Sequence, residues 1–301
     1  MSKRSMVEVE RKEEGVKSIV VGGRRFLPEV RRLKDMVEVV CDKQFLEHAD
    51  LNAALYFMFR DVFASEEDLR KIKERGLRYD ITVMPPNTLG KEFVKTVGHY
   101  HPPASPHSNI SYPEIYEVLE GKAHFLLQKR EIVSESEKEN EEAEERIVDV
   151  VVISAREGDK VLIPPNYGHV TINPAGETLK MANFVARHFS SIYEPYRRKG
   201  GAAYFELTSG KFVKNERYGE VPEIRFLNAP SLDDFGIYHD TPMYELIREP
   251  HKLEFLTRPE KFKELFERAL RRKRMSEWVL RNEERGCFDR GTAIHSQILR
   301  K

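Results

Sequence analysis

The sequence predicts a mainly β chain, with a barrel or sandwich at its centre and helical segments on either side. Between about Asp80 and Lys214, short runs rich in Val, Ile, Phe and Thr, such as DITVMP, EIYEVLEG, RIVDVVVI and HVTIN, are punctuated by Gly, Pro and Asn. Many short strands so spaced read as a barrel or sandwich. Apolar residues at helical spacing fall outside that stretch. At 301 residues, 40% hydrophobic and 33% charged, the chain has enough apolar material for a core beneath a charge-rich surface.

Residues before about Gly22 are charged and weakly patterned. From Pro28, EVRRLKDMVEVV places Val30, Leu33, Met36, Val37 and Val40 at a spacing that predicts a first amphipathic helix. Ser65 with Asp68 reads as an N-cap and acidic N3 for EEDLRKIKER, and Gly76 as its stop. The barrel strands follow, interrupted at residues 135–146 by ESEKENEEAEER, a solvated loop or tip by composition. After about Glu220 the strand pattern stops. TPMYELI reads as a brief helix, and Pro259 as a first helical residue ahead of Phe262, Leu265, Phe266, Ala269 and Leu270, with Gly286 as the stop. The basic run Arg271, Arg272, Lys273 and Arg274 reads as part of that docked surface helix rather than a nucleic-acid patch. Three segments are therefore expected: an N-terminal extension and helix over 1–60, a barrel domain over 61–219 and a mostly helical extension over 220–301.

Fifty Lys+Arg against fifty Asp+Glu sum to zero, which argues against a nucleic-acid or anionic-membrane partner recognised through a global field. Two cysteines, Cys41 and Cys287, make no disulfide framework. The charged start lacks a signal-peptide core, and no apolar run approaches the roughly 18 residues of a membrane span. A cytoplasmic location is the expectation.

The chemistry gathers in TVGHYHPPASPHSNISYPEIYEVLEG and GDKVLIPPNYGHVTIN. His99 and His101 are one residue apart, which on a strand turns both imidazoles to one face, as two ligands of one metal require. Glu114 opens EIYEVLEG, and His169 follows a Pro-Pro turn. Three neutral nitrogens and a carboxylate suit Fe(II), Mn(II), Ni(II), Co(II) or Zn(II).

Together, His99-x-His101, Glu114 with Gly121, and Gly158…Pro164-Pro165-x-x-Gly168-His169-x-x-x-Asn173 resemble the two motifs of the cupin superfamily. The resemblance implies a cupin jelly-roll barrel with both motifs on facing strands around one metal. The segment PPASPHSNISYP before Glu114 is longer than the family's usual spacing and leaves Glu117 as a rival ligand, although the distance to Gly121 favours Glu114.

More narrowly, RYDITVMPPNTLGKEFVKTVGHYH, EIYEVLEGKAHFLLQ and PPNYGHVTIN resemble the archaeal cupin-type glucose-6-phosphate isomerases, with weaker similarity from DMVEVV to about Gly210. That resemblance implies an aldose-ketose isomerase of glycolysis and gluconeogenesis, with a phosphosugar substrate and one divalent transition metal per subunit, iron first among the candidates. A homodimer built by strand exchange is implied with it. By position, His99, His101, Glu114 and His169 would bind the metal, Thr82, Thr96 and Gly98 the phosphate, and Tyr116 would lie beside the sugar. Glu114 would then be a catalytic base or mainly a ligand, with Tyr116 and Lys95 orienting hydroxyls or shuttling an oxygen proton. The family's late Tyr and His fall near Val185 and Ser191, with Tyr193 and His188 as the nearby replacements. His107 reads as an exposed loop histidine rather than a lid residue, and His124 as structural. Two rival readings use the same barrel: a non-haem iron dioxygenase with the same four ligands, and a non-catalytic sugar-binding cupin. The phosphate constellation before His99 favours the isomerase.

Overall fold

A computed structural model describes residues 7–12, 15–134 and 144–270. β1 (Val7–Lys12), β2 (Gly15–Val21) and β3 (Arg24–Phe26) form a small antiparallel sheet. β4 (Glu29–Arg32) pairs with β5 (Ala54–Phe59), with a 3-10 turn at Leu33–Asp35 and the one-turn helix α1 (Lys43–Leu46) between them. Helix α2 (Glu66–Glu74) starts as the sequence predicts: Ser65 Oγ accepts the Asp68 N–H at 3.1 Å. Gly76, at φ 66°, follows it into β6 (Leu77–Met84). The short hairpin of β7 (Thr88–Leu89) and β8 (Glu92–Phe93) precedes β9 (Glu114–Glu120), β10 (Lys122–Ser134), β11 (Glu144–Arg156) and β12 (Lys160–Ile163). Then come β13 (Tyr167–Ile172), β14 (Leu179–Ala186), α3 (Glu194–Arg198), β15 (Tyr204–Glu206), β16 (Phe212–Lys214) and β17 (Arg225–Asn228). Three 3-10 segments, Met243–Arg248, Pro250–Leu256 and Pro259–Phe262, lead to α4 (Lys263–Ala269).

The long strands divide between a six-stranded sheet, β12-β9-β14-β6-β5-β4, and a four-stranded one, β13-β10-β11-β17. Consecutive strands β9 and β10 lie in different sheets, as do β11 and β12, and β13 and β14, which is the jelly-roll arrangement. Gly121 makes the β9–β10 corner at φ 79°, where a Cβ would sit 2.6 Å from the Thr178 carbonyl oxygen. Alternation along each strand then sorts the apolar side chains into three layers. Phe125, Leu127, Val151 and Ile153 meet Val118, Val161 and Met181 between the sheets. Phe57, Tyr79, Ile115 and Phe184 cover the outside of the larger sheet, packing against Ile19 of β2 and against Leu246, Leu253 and Phe255. Leu126, Val150, Val152 and Val170 line the outside of the smaller sheet, beneath Tyr196 and Ala203.

Two expectations need correction. The segment after Pro28 is not an amphipathic helix: Val30 pairs with Phe57 in the larger sheet, and the following chain makes successive i→i+3 turns. Leu33, Met36, Val39 and Val40 are buried there; the first three repeat every three residues, which matches 3-10 turns and which short patterns share with the α-helix. Nor do strands end at Glu220, because β17 adds parallel to β11 from Val151↔Arg225 to Ser154↔Asn228. Strands on both sides of the expected barrel span, β4 and β5 before it and β17 after it, thus pair into the barrel sheets. Residues 135–143 of the acidic stretch, Arg271–Arg274 and Gly286 lie outside the described residues. The brief helix expected in TPMYELI is the 3-10 segment Met243–Arg248.

Candidate metal centre

The His-x-His segment lies alongside β13 through reciprocal backbone hydrogen bonds, His99 N–H to His169 O at 3.2 Å and His169 N–H to His99 O at 3.0 Å. That bridge sets two motifs far apart in sequence against each other. Gly98 permits it: at φ 84°, an added Cβ would lie 2.5 Å from the Tyr196 ring. β9 brings Glu114 from the opposite sheet. Donor atoms of His99, His101, Glu114 and His169 all fall within 4.8 Å of one another. Nε2 atoms of His101 and His169 each lie 3.4 Å from Glu114 Oε2, and those of His99 and His101 are 3.1 Å apart.

The groups around the cluster prepare it for a cation. His101 Nδ1 is 2.8 Å from the Tyr112 carbonyl oxygen, a contact that places the proton on Nδ1 and leaves Nε2 as a bare donor. Tyr112 belongs to the long segment before Glu114, which is latched to the second motif by Asn166: its N–H donates to Ser111 Oγ at 2.7 Å and its Oδ1 accepts the Ser111 N–H at 2.9 Å. Phe189 stacks on the Tyr112 ring at 4.9 Å. Asn183 Nδ2 donates to Glu114 Oε1 at 2.6 Å, which orients the carboxylate and leaves Oε2 buried with no partner, as is His169 Nδ1. A buried carboxylate oxygen with no hydrogen-bond partner among three imidazoles is costly unless a cation completes it, so these four residues could hold a divalent metal.

Electrostatics agree with that chemistry. Burial pushes the His99 imidazole well below its ordinary value, with help from the neighbouring His169 and His101, and burial pushes His169 down to about 4. Both are neutral donors at pH 7. For Glu114, burial raises the pKa, but the polar surroundings supplied by His101, then His169 and Tyr116, outweigh it and leave the group below its ordinary value. Burial, reinforced by Glu114, drives the Tyr116 phenol well up, so it stays protonated 3.1 Å from His169 Nε2.

The cluster opens into a pocket whose empty space, open solvent at its mouth included, is about 610 Å³. Its wall is the inner face of the larger sheet, in rows set by register. Glu114, Val185 and Arg78 form one row; Tyr116, Asn183 and Asp80 the next; Val118, Met181, Thr82 and Met58 the third. Thr96 and Gly98 line it from the His-x-His segment. Thus Thr82, Thr96, Gly98 and Tyr116 all reach the pocket with three of the four cluster residues, and His169 joins them from β13.

Other expected residues sort differently. Lys95 does not line the pocket: its neighbour Thr96 takes that face, and Lys95 is buried in an ion pair with Glu92 under the Phe205 ring. Glu117 faces away from the cluster, paired with Lys160. Val185, Ser191 and Tyr193 line the pocket, the Tyr193 ring 5.3 Å from His99, whereas His188 does not. His107 is exposed, and His124 is held by Glu206 at 2.8 Å. Sequence reasoning missed Asn183, Arg60 and Arg78. Two of its own assignments held the signal for Arg78: counting back in twos from Thr82 along one strand reaches Asp80 and Arg78 on the same face.

Among known proteins, glucose-6-phosphate isomerases of Thermococcus gammatolerans and Thermococcus litoralis are 32% and 33% identical to this chain, over 66% and 61% of it and 90% and 83% of themselves. The glucose-6-phosphate isomerase of Pyrococcus furiosus is 32% identical over 49% of this chain and 64% of its own length. Solved structures of a variant Bacillus subtilis oxalate decarboxylase (15% identity, TM-score 0.28, 49% of this chain and 30% of that one) and of hazelnut vicilin (14%, TM-score 0.29, 55% and 34%) overlap too little to carry weight. The fold stands on the strand order instead. Residues 30–223, which hold the four clustered donors and every pocket strand, match the family model described as glucose-6-phosphate isomerase (GPI), and the chain belongs to that family.

Proposed function

We propose that the chain interconverts glucose 6-phosphate and fructose 6-phosphate, with a divalent transition metal held by His99, His101, Glu114 and His169. The observation that carries this reading is the buried Glu114 oxygen left without a hydrogen-bond partner among three imidazoles, at the end of a pocket that also holds neutral phosphate donors. Once bound there, the ion would supply Lewis-acid polarisation of the sugar's O1 and O2.

The chain's own residues do the rest. Asn183 holds the Glu114 carboxylate in place through Oε1. Tyr116, kept protonated by burial, is a donor for a sugar oxygen and the proton carrier between oxygens. Thr82, Thr96 and the Gly98 N–H anchor the phosphate end, so that C1 and C2 come to rest beside Glu114. Two routes share this geometry. In one, Glu114 removes the C2 proton to give an enediol and returns it to C1; in the other, hydrogen passes between the carbons with its electron pair and Glu114 serves only to hold the metal. Iron is the first candidate on the basis of the family, and the dimer implied by the family is checked by light scattering.

Testing the reading requires purified chain loaded in turn with Fe(II), Mn(II), Ni(II), Co(II) or Zn(II), assayed for conversion of fructose 6-phosphate to glucose 6-phosphate. Turnover should vanish in the chelated protein and in His101→Ala. Absence of turnover with every metal would refute the isomerase reading, and turnover in the chelated protein would refute metal dependence alone.

A further inference from the structure

We propose that Arg60 and Arg78, set side by side by Asp80, form the charged half of the pocket's anion subsite and confer its preference for a phosphorylated over a neutral sugar; this rests on the isomerase reading above. Asp80 is fully buried on β6, and its Oδ2 accepts from Arg60 Nη1 and from Arg78 Nε, each at 2.8 Å. Its Oδ1 accepts the Asp61 N–H at 3.0 Å. One carboxylate with two guanidinium groups leaves an excess positive charge, and both arginines line the pocket with Thr82, Thr96 and Gly98.

Position links this charge to the phosphate donors. Arg78, Asp80 and Thr82 alternate along β6 and share its inner face. Arg60 Nη2 lies 3.2 Å from Met58 Sδ, and Met58 is the direct cross-strand partner of Thr82, so the Arg60 guanidinium reaches the threonine's row. Arg78 holds Asp80 through Nε, and its two Nη groups, the fork suited to bidentate phosphate binding, take no part in that contact. Glu29 approaches Arg60 Nε at 3.7 Å, but its side chain is 66% exposed and its charge is correspondingly screened.

Charge supplies the reason. A sugar phosphate carries about two negative charges at neutral pH. Hydroxyl and amide donors of Thr82, Thr96 and Gly98 satisfy its oxygens without neutralising it, and a dianion drawn into a partly enclosed pocket against neutral donors alone loses much of its hydration. The arginine pair offsets that cost. Asp80 is a positioning residue, holding the two cations in place and keeping their mutual repulsion tolerable.

The test uses the full-length, metal-loaded chain and its Arg78→Gln, Arg60→Gln and Arg78→Lys variants. Steady-state kinetics with fructose 6-phosphate should show KM raised about tenfold or more in either Gln variant, with kcat within about threefold, since a charge-assisted bond is lost without change to the reacting carbons. The ratio of kcat/KM for fructose 6-phosphate to that for fructose should fall with it, and Arg78→Lys should recover part of the loss by restoring charge without the fork. In parallel, calorimetric titration with inorganic phosphate should show affinity weakened about tenfold in the Gln variants. Phosphate affinity and KM that match wild type in both Gln variants would overturn the assignment, as would a drop confined to kcat. Arginine-dependent phosphate binding by a chain with no isomerase turnover would leave the subsite standing and remove the reading on which it was built.

Discussion

Glu114 and Glu117 are near neighbours on β9, 4% and 5% exposed, and they serve opposite ends. Strand alternation turns Glu114 into the barrel and Glu117 onto the outer face. There, Glu117 Oε1 lies 3.1 Å from Lys160 Nζ, and Oε2 accepts the Met243 N–H at 2.9 Å. Both oxygens are engaged, and the carboxylate ties the barrel to the segment that covers it. Glu114 has Asn183 on one oxygen and no partner on the other, which lies 3.4 Å from two imidazole nitrogens. Burial is the same in both; completeness of the hydrogen-bond set is what differs. A buried carboxylate left unfinished among neutral donors marks a site, whereas a finished one marks a joint.

That contrast is open to attack by mutation. Glu114→Gln should lower isomerase kcat/KM by about a thousandfold and deplete bound metal, while the urea midpoint stays near wild type; metal analysis beside the assay checks it. Glu117→Gln should do the reverse. It leaves the buried Lys160 ammonium without its counter-charge, at a cost of about 3 kcal/mol in urea unfolding, with activity per folded molecule retained. If Glu117→Gln abolished activity in folded protein, the division of labour between the two faces would be wrong.

Smaller effects sharpen the same distinction. Tyr116→Phe removes the hydroxyl 3.1 Å from His169 Nε2 and should slow kcat roughly thirtyfold, about 2 kcal/mol of transition-state stabilisation, with metal content retained. Asp149 is a partly exposed counterpart of Glu117: Arg225 of β17 bonds it at 2.6 and 2.9 Å, and Tyr167 at 2.6 Å. Burial raises its pKa, but these bonds outweigh burial and hold it below its ordinary value. Between that folded value and the unfolded value near about 3.9, the unfolded chain binds more protons, so this contribution is present above the unfolded value and is lost as pH falls through the folded one. Unfolding free energies in urea of wild type and Asp149→Asn should differ by about 1 kcal/mol at about pH 6 and converge as pH falls through the folded value.

How much of this could be read beforehand depended on how local the cause was. Ser65 capping α2 needs only neighbouring residues, and it was legible. So were His99, His101, Glu114 and His169, because strand alternation and motif spacing are one-dimensional rules. Thr82, Thr96, Gly98 and Tyr116 were placed by family resemblance, and the fold brings all four to the pocket. Lys95 stands beside Thr96 in the sequence yet turns away from the pocket, because one residue along an extended chain means the opposite face. Val30 to Val40 was misread because short patterns of period three and 3.6 overlap, and pairing of Val30 with Phe57 settled the matter.

The sequence by itself determined the donor chemistry, the order of the two motifs and the β texture between them, because residue type and spacing carry that information along the chain. Tertiary structure decided which groups meet. Register between β6, β14 and β9 set Arg78 and Asp80 in the rows of Glu114 and Tyr116, the His99–His169 backbone bridge closed the four-donor cluster, and β17 joined the smaller sheet. Each depends on pairing between strands distant in sequence, and a residue's own neighbours carry no record of the partner strand that completes it.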